Sequence, residues 1–226
     1  MTSAWDRVLE LAEDQWGLVT RRQVEARGVA WSTLSRMAGR GEVERVAHGV
    51  YRLRGAPPAD QADLKAAWLQ LAPSVPVWER NAAQGVVSHR SAARLYELGE
   101  LPADVHEFTL PARRQTRRSD VRLHRRDVEA DAVRDVGGLL VTRPARVVAD
   151  LLADAADAEA VGRIAAESIA AGHEHPADLA GYLAPLARRF RQADADGPAV
   201  LSWLLDLAGV SPADRSAWLG RAGAGR

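Results

Sequence analysis

Between Gly17 and Leu53 short runs of helical spacing give way to strict alternation, and glycines stand at the joins. Thr20-Arg21-Arg22-Gln23 has the form of a capping box, in which the Thr20 hydroxyl accepts from the Gln23 amide and the Gln23 side chain reaches back. A short helix through Val24 and Ala26 follows, and Gly28 stops it. After a turn at Val29-Ala30-Trp31, Ser32 is read as the N-cap of a helix from Thr33 to about Arg40. Leu34 and Met37 then face inward, and Thr33, Arg36 and Arg40 outward. Glu42-Val43-Glu44-Arg45-Val46 and Val50-Tyr51-Arg52-Leu53 alternate apolar with polar residues around a tight turn at Ala47-His48-Gly49, which predicts a hairpin. Upstream, Trp5, Val8, Leu9, Ala12 and Trp16 recur at helical spacing, Gly17 ends that run, and Leu18-Val19 reads as a short apolar link.

Helix, helix, turn, helix, hairpin is the order of a winged helix-turn-helix, and the residue types suit DNA. A recognition helix needs short polar side chains near its N-terminus to approach base edges, with Arg to pair with guanine or phosphate. Ser32, Thr33, Ser35, Arg36 and Arg40 are the candidates. Arg21 and Arg22 open the preceding helix, where backbone amides and the dipole also favour a phosphate. His48 at the wing tip, between Arg45 and Arg52, completes the candidate DNA-binding set. The competing reading is a small helical module for protein contacts, with its arginines on a solvated face. Trp31 has two readings, a packed staple or a DNA contact.

Charge supports the first reading by its distribution. Overall charge is zero, yet residues 20–54 carry eight Arg against three Glu, and residues 111–126 carry seven Arg against one Asp. Within the second segment Arg113, Arg114, Arg117 and Arg118 form a possible second basic surface, or a solvated loop.

Five segments resemble AbiEi-family antitoxins, the antitoxin halves of type IV toxin–antitoxin pairs. Gly17-Leu-Val-Thr20-Arg-Arg-Gln-Val24, Gly28-Val-Ala-Trp-Ser32-Thr-Leu-Ser-Arg36 and Gly41-Glu-Val-Glu-Arg45-Val-Ala-His-Gly49-Val-Tyr51-Arg52-Leu53 resemble their N-terminal domain. Val87-Ser88-His89-Arg90-Ser91-Ala92-Ala93 and Leu139-Leu-Val-Thr142-Arg-Pro144-Ala-Arg-Val-Val-Ala-Asp150-Leu resemble segments in the body of such antitoxins. The resemblance implies an N-terminal domain that binds inverted repeats in its own promoter and represses the operon. It also implies a C-terminal region that neutralises a nucleotidyltransferase-like toxin. A stand-alone winged-helix regulator without a toxin partner is the alternative.

The remainder reads as a mixed α/β domain with a helical end, an α+β chain overall. Expected divisions are 1–55 for the winged helix-turn-helix, 59–212 for the C-terminal domain after a Pro57-Pro58 linker, and 213–226 as a frayed tail. Strands are expected at Val105–Leu110, Val121–Arg125 and Leu139–Val141, with the Arg-rich link as a hairpin loop between the first two. Ser88 and Thr142 are read as helix caps.

Other classes are excluded by what the chain lacks. It has no cysteine, so disulfides and thiolate chemistry are ruled out. No apolar run is long enough to span a bilayer and the N-terminus has no signal pattern, so the cytoplasm is expected. Asp63-Leu64-Lys65 only superficially matches a nuclease motif, since it lies in a helical pattern and the chain has no other lysine. His173-Glu174-His175 with Asp178 is read as solvent-exposed rather than metal-binding. No catalytic residue, metal or cofactor is expected.

Overall fold

The computed structural model describes residues 3–223. Helix α1 (Ala4–Glu13) starts in a reciprocal capping box between Ser3 and Asp6. It buries Val8, Leu11 and Ala12, while Leu9, expected on that stripe, is exposed. Counting three and four from Val8 gives 11 and 12, so Leu11 takes the place assigned to Leu9.

Leu18-Val19 is more than a link: β1 (Leu18–Thr20) pairs antiparallel with β3 (Val50–Leu53), and β3 pairs with β2 (Val43–Ala47). The three-stranded sheet has the order β1-β3-β2. Between its strands lie α2 (Arg21–Ala26) and α3 (Trp31–Gly39). The Thr20–Gln23 capping box is present as read from the sequence. Ser32 is not the cap of α3: the cap lies two residues earlier, at Ala30, with no side-chain cap bond, and the helix starts at Trp31. Val8, Leu11, Val24, Leu34, Met37, Val43 and Tyr51 form one core under these elements.

The second region follows as α4 (Ala62–Leu71), β4 (Val86–Val87), α5 (His89–Leu95), β5 (His106–Leu110), β6 (Val121–Arg125), β7 (Val133–Val136) and β8 (Leu139–Thr142). A helical end comprises α6 (Pro144–Ala153), α7 (Ala158–Ala170), α8 (Pro176–Leu183), a 3-10 helix at Ala184–Phe190, α9 (Gly197–Leu207) and α10 (Pro212–Gly223). The fold is thus α+β, a winged helix-turn-helix followed by a mixed α/β region that ends in helices. The five-stranded sheet has the order β6-β5-β4-β8-β7.

Four expectations are corrected here. Strands β5 and β6 run parallel, so residues 111–120 form a return connection rather than a hairpin loop. Ser88 precedes α5 but makes no cap bond, because its hydroxyl is held by His89 and Thr109. Thr142 is not the cap of α6 either; Arg143 holds that position and the Thr142 hydroxyl turns to the Val87 carbonyl. The tail read as frayed is helical from Pro212, where the Ser211 hydroxyl accepts from the Asp214 N–H and Trp218 and Leu219 pack on the core. Its last residues, 224–226, lie outside those described.

The helical end packs closely. A Cβ on Gly197 of α9 would sit 1.8 Å from the Ala180 carbonyl oxygen of α8, closer than any real contact. Glycine here lets two helix backbones touch.

The first sheet and the second region share a buried joint. Leu18 and Val50 pack with Ala66 and Leu69 of α4. Above them, Gln15 and Gln23 form a reciprocal buried amide pair, with Nε2–Oε1 distances of 2.9 and 3.1 Å. Their remaining capacity goes to Leu18, Thr20, Val75 and Val77, so every buried amide group is satisfied. The Thr20 hydroxyl donates to the Pro73 carbonyl. The 72–80 segment that receives these bonds is itself fixed by buried Arg80, which donates to the carbonyls of Trp68, Leu69 and Ala72 at the C-terminal end of α4. Burial lowers the Arg80 pKa to about 10. Trp16, at φ +57°, leaves the α1 stripe and donates to the Gly137 carbonyl at 2.8 Å. A side chain on Gly138 would strike that indole at 2.9 Å.

Candidate nucleic-acid interface

Helix α3 shows solvent the side chains that the sequence pattern sets outward. Ser32, Ser35, Arg36 and Arg40 are exposed and Thr33 is half-buried, while Leu34 and Met37 anchor the other face. The Arg36 guanidinium donates to the Thr33 hydroxyl at 3.1 Å and forms no ion pair among the described residues. Arg40 lies 3.8 Å from Glu42.

Trp31 is packed and open at once. Its ring packs against Tyr51 with centroids 6.0 Å apart, yet the residue remains 39% exposed at the start of α3. The Arg21 guanidinium lies 4.6 Å from the ring centroid. That cation–π contact ties the start of α2 to the start of α3. Arg21 also pairs with Glu25 at 2.8 Å, whereas Arg22 is exposed and forms no ion pair among the described residues.

The wing is braced rather than free. Arg45 reaches His48 Nδ1 at 3.0 Å, and Arg52 pairs with Glu44 at 2.6 Å. The His48 carbonyl accepts from Gln70 of α4 at 2.8 Å, and the Gly49 carbonyl accepts from the Arg21 N–H at 2.9 Å. Gln70 accepts in turn from Arg118 at 2.5 Å. A relay Arg118–Gln70–His48 therefore joins the Arg-rich return connection to the wing tip.

This relay brings the two basic segments of the sequence together. Arg21, Arg22, His48, Arg114, Arg117 and Arg118 line one open cleft of about 1150 Å³ between the wing, α2 and the 111–120 connection. Within it the arginines differ in freedom. Arg118 is bound to Asp120 and Gln70, and Arg114 donates to the Leu71 carbonyl. Arg113 and Arg117 are exposed and form no ion pair among the described residues. The Arg118 guanidinium holds the Asp120 carboxyl down to about 2.

The two motifs set aside in the sequence have structural partners. Lys65 lies on α4 with its ammonium 4.9 Å from the Trp16 ring centroid. Glu174, expected in solvent, is instead buried: Arg143 grips it at 2.6 Å and also reaches Asp178 at 2.8 Å. A carboxylate can be buried there because a guanidinium meets it.

Sequence reasoning missed a second polar cluster, of His89, Glu107, His124 and Asp154. These four residues come from segments far apart in the chain, and their spacing carries no motif.

Among the described residues no helix is long and apolar enough to cross a membrane. No curated protein matches the chain. A solved structure, the crystal structure of the RV2827C protein from Mycobacterium tuberculosis, is similar in fold, with a TM-score of 0.55 at 20% identity. The likeness covers 95% of this chain and 79% of that one. Residues 6–54 match the family described as transcriptional regulator, AbiEi antitoxin, the same family that this segment resembles by its motifs. The segment so matched is the winged helix-turn-helix with its polar, exposed α3, and this N-terminal region is similar to the transcriptional regulators of the AbiEi antitoxin family.

Proposed function

We propose that this chain is a cytoplasmic antitoxin and autorepressor that binds inverted repeats in its own promoter and counteracts a nucleotidyltransferase-like toxin. The observation that carries the reading is the AbiEi match lying on an α3 whose Ser32, Ser35, Arg36 and Arg40 are exposed. In this reading α3 enters the major groove, with Ser32, Thr33, Ser35 and Arg36 at base edges. Arg21, Arg22 and Arg40 hold phosphates. The wing, through Arg45, His48 and Arg52, lies along the backbone or minor groove. The braced wing supports a rigid presentation, since its tip is tied to α2 and α4.

Arg113 and Arg117, with Arg114 and Arg118 behind them, extend the phosphate contact beyond the wing. Support comes from the shared cleft and from the Arg118–Gln70–His48 relay. Two copies of the chain on the two halves of a repeat follow from the symmetry of such an operator. The division at residues 55–59 is a boundary of role more than of contact, because the joint at Gln15 and Gln23 crosses it.

One observation favours the alternative of a stand-alone regulator: the family match ends at residue 54 and leaves the second region without an assigned activity. Both readings are regulatory, and neither gives the chain a reaction to catalyse.

Fluorescence anisotropy of the purified chain on its own upstream DNA and on a scrambled duplex, at two salt concentrations, tests the operator reading. Tight, selective and salt-dependent binding is expected; equal weak binding to both duplexes contradicts it. Co-expression with a neighbouring nucleotidyltransferase-like gene separates the two regulators. Restored growth supports the antitoxin, and growth arrest despite operator binding supports the stand-alone form.

A further inference from the structure

Helix α1 carries two rows of side chains toward its apolar faces. Val8, Leu11 and Ala12 form the inner one and are buried in the winged-helix core. Trp5, Leu9 and Glu13, each four residues on from the last, form a second row beside it. That row lines a groove of about 710 Å³ whose other wall is the 54–60 linker together with Lys65 of α4. Leu9 is 37% exposed in the groove, and Trp5 and Trp16 are half-buried along it. The linker wall is stiff. Pro57 and Pro58 have fixed φ and stand exposed. A Cβ on Gly17 would lie 2.4 Å from that of Ala56, so the linker is held against the end of α1. An apolar surface already fixed in shape loses little freedom when it is covered.

The charges around the groove point to what covers it. Glu13 and Asp60 are acids, Arg54 and Lys65 are cations, and none of the four forms an ion pair among the described residues. Lys65 lies instead over the Trp16 ring. A groove with two unpaired charges of each sign is complementary to itself. In a two-fold dimer a patch meets its own copy turned around, so the acids of one chain face the cations of the other. The large basic cleft fails this criterion. It is lined by Arg21, Arg22, Arg114, Arg117 and Arg118, with Glu25 the one acid on its walls among the described residues, and would repel a second copy of itself.

The two clefts lie at opposite ends of β3. The basic one meets Gly49 and Val50 at the wing tip, and the groove meets Leu53 and Arg54. Trp5 also lines a smaller hollow with Thr33, Arg36 and Arg40 of α3. A second copy on the groove therefore sits beside α3 and leaves the wing and its basic cleft free.

We propose that the groove between α1 and the linker is a self-association surface, on which a second copy of this chain seats its own groove about a two-fold axis. Its purpose rests on the operator reading, because inverted repeats offer two half-sites, and it is the surface that joins the two copies there. Its lining is smaller than the ~20–30 residues a side of a standard interface, so the dimer is reversible rather than obligate.

The test uses the full chain without DNA. Sedimentation equilibrium across the micromolar range should show a reversible monomer–dimer equilibrium for the parent. A groove made all cationic by Glu13→Lys/Asp60→Lys, and one made all acidic by Arg54→Glu/Lys65→Glu, should each associate more weakly by roughly tenfold or more. Mixed in equal amounts, the two variants should pair with each other, because opposite charges then meet. Glu13, Arg54 and Asp60 are exposed, circular dichroism verifies that the variants fold, and Arg54→Glu alone serves as the acidic partner where Lys65→Glu disturbs the Trp16 contact. A parent that stays monomeric throughout would overturn the proposal and leave the groove to a different occupant. Variants that dimerise as tightly as the parent, or a mixture that fails to pair, would overturn it too. A parent that dimerises as expected yet shows no operator selectivity would support the surface and contradict the operator reading alone.

Discussion

The winged helix and the second region both carry many arginines, but the ion pairs of the second region reach buried carboxylates and those of the winged helix stay at the surface. In the second region arginines turn inward to carboxylates: Arg143 to Glu174 and Asp178, Arg126 to Asp150 and Asp154, Arg146 to Asp150. Arg80 has no carboxylate and is spread over backbone carbonyls. In the winged helix Arg22 and Arg36 stand in solvent and form no ion pair among the described residues. Arg113 and Arg117 of the 111–120 connection behave like the winged helix although they belong to the other region. An arginine count therefore does not locate an interface; exposure without a carboxylate, as at Arg22, Arg36, Arg113 and Arg117, is what the proposed interface rests on.

Breaking an inward arginine should cost stability most. Arg143→Ala strands Glu174, whose side chain is wholly buried, with only Arg134 at 3.7 Å as a remaining cation. A loss of about 3 kcal/mol is expected from breaking a buried pair, read as a lower denaturant midpoint. An unchanged midpoint would mean that Glu174 finds water or a proton instead. Next in size is Gly197→Ala, where a methyl group would meet the Ala180 carbonyl. Overpacking of this kind costs roughly 1–3 kcal/mol, again without touching the exposed face of α3.

Outward arginines should do the reverse. Arg36→Ala is expected to leave the melting temperature alone and to weaken specific operator binding by about 1–3 kcal/mol if it reads a base. The smallest effect is a pH dependence at the wing brace. The Arg118 guanidinium holds the Asp120 carboxyl at about 2, below its ordinary 3.8, so the ion pair is fully in place above the higher value. The pair is lost as pH falls through the lower one. Between these pH values hydrogen exchange of the parent should show the 111–120 connection loosening, and an Asp120→Asn variant should show no such acid-induced change.

Much of the winged helix was legible because its signals are local. Thr20 and Gln23 are three residues apart, and the alternation around His48-Gly49 fixes a hairpin from adjacent residues. One difference there is also local, Ala30 rather than Ser32 at the start of α3; the other, a strand rather than a link at Leu18-Val19, is not. Strand β1 needs a partner 30 residues away, and nothing in Leu18-Val19 announces one. The second region was harder for the same reason. Parallel pairing of β5 with β6, the grip of Arg143 on Glu174 and the convergence of His89, His124 and Asp154 all join distant segments. Of the candidate site, the residue types on α3 could be read from sequence. The relay that joins Arg118 to the wing through Gln70 could not, since Gln70 lies on α4 with no pattern to mark it.

The measurement that bears most directly on the two uses of arginine is a salt titration of DNA binding for Arg36→Ala and Arg117→Ala beside the parent, on operator and scrambled duplexes. Arg117→Ala should lower the slope of log affinity against log salt by about 0.9 on both duplexes, as loss of one phosphate contact requires. Arg36→Ala should reduce the ratio of operator to scrambled affinity. If neither variant changes slope or ratio, the unpaired arginines are solvated charge and the winged helix is not a DNA-reading surface.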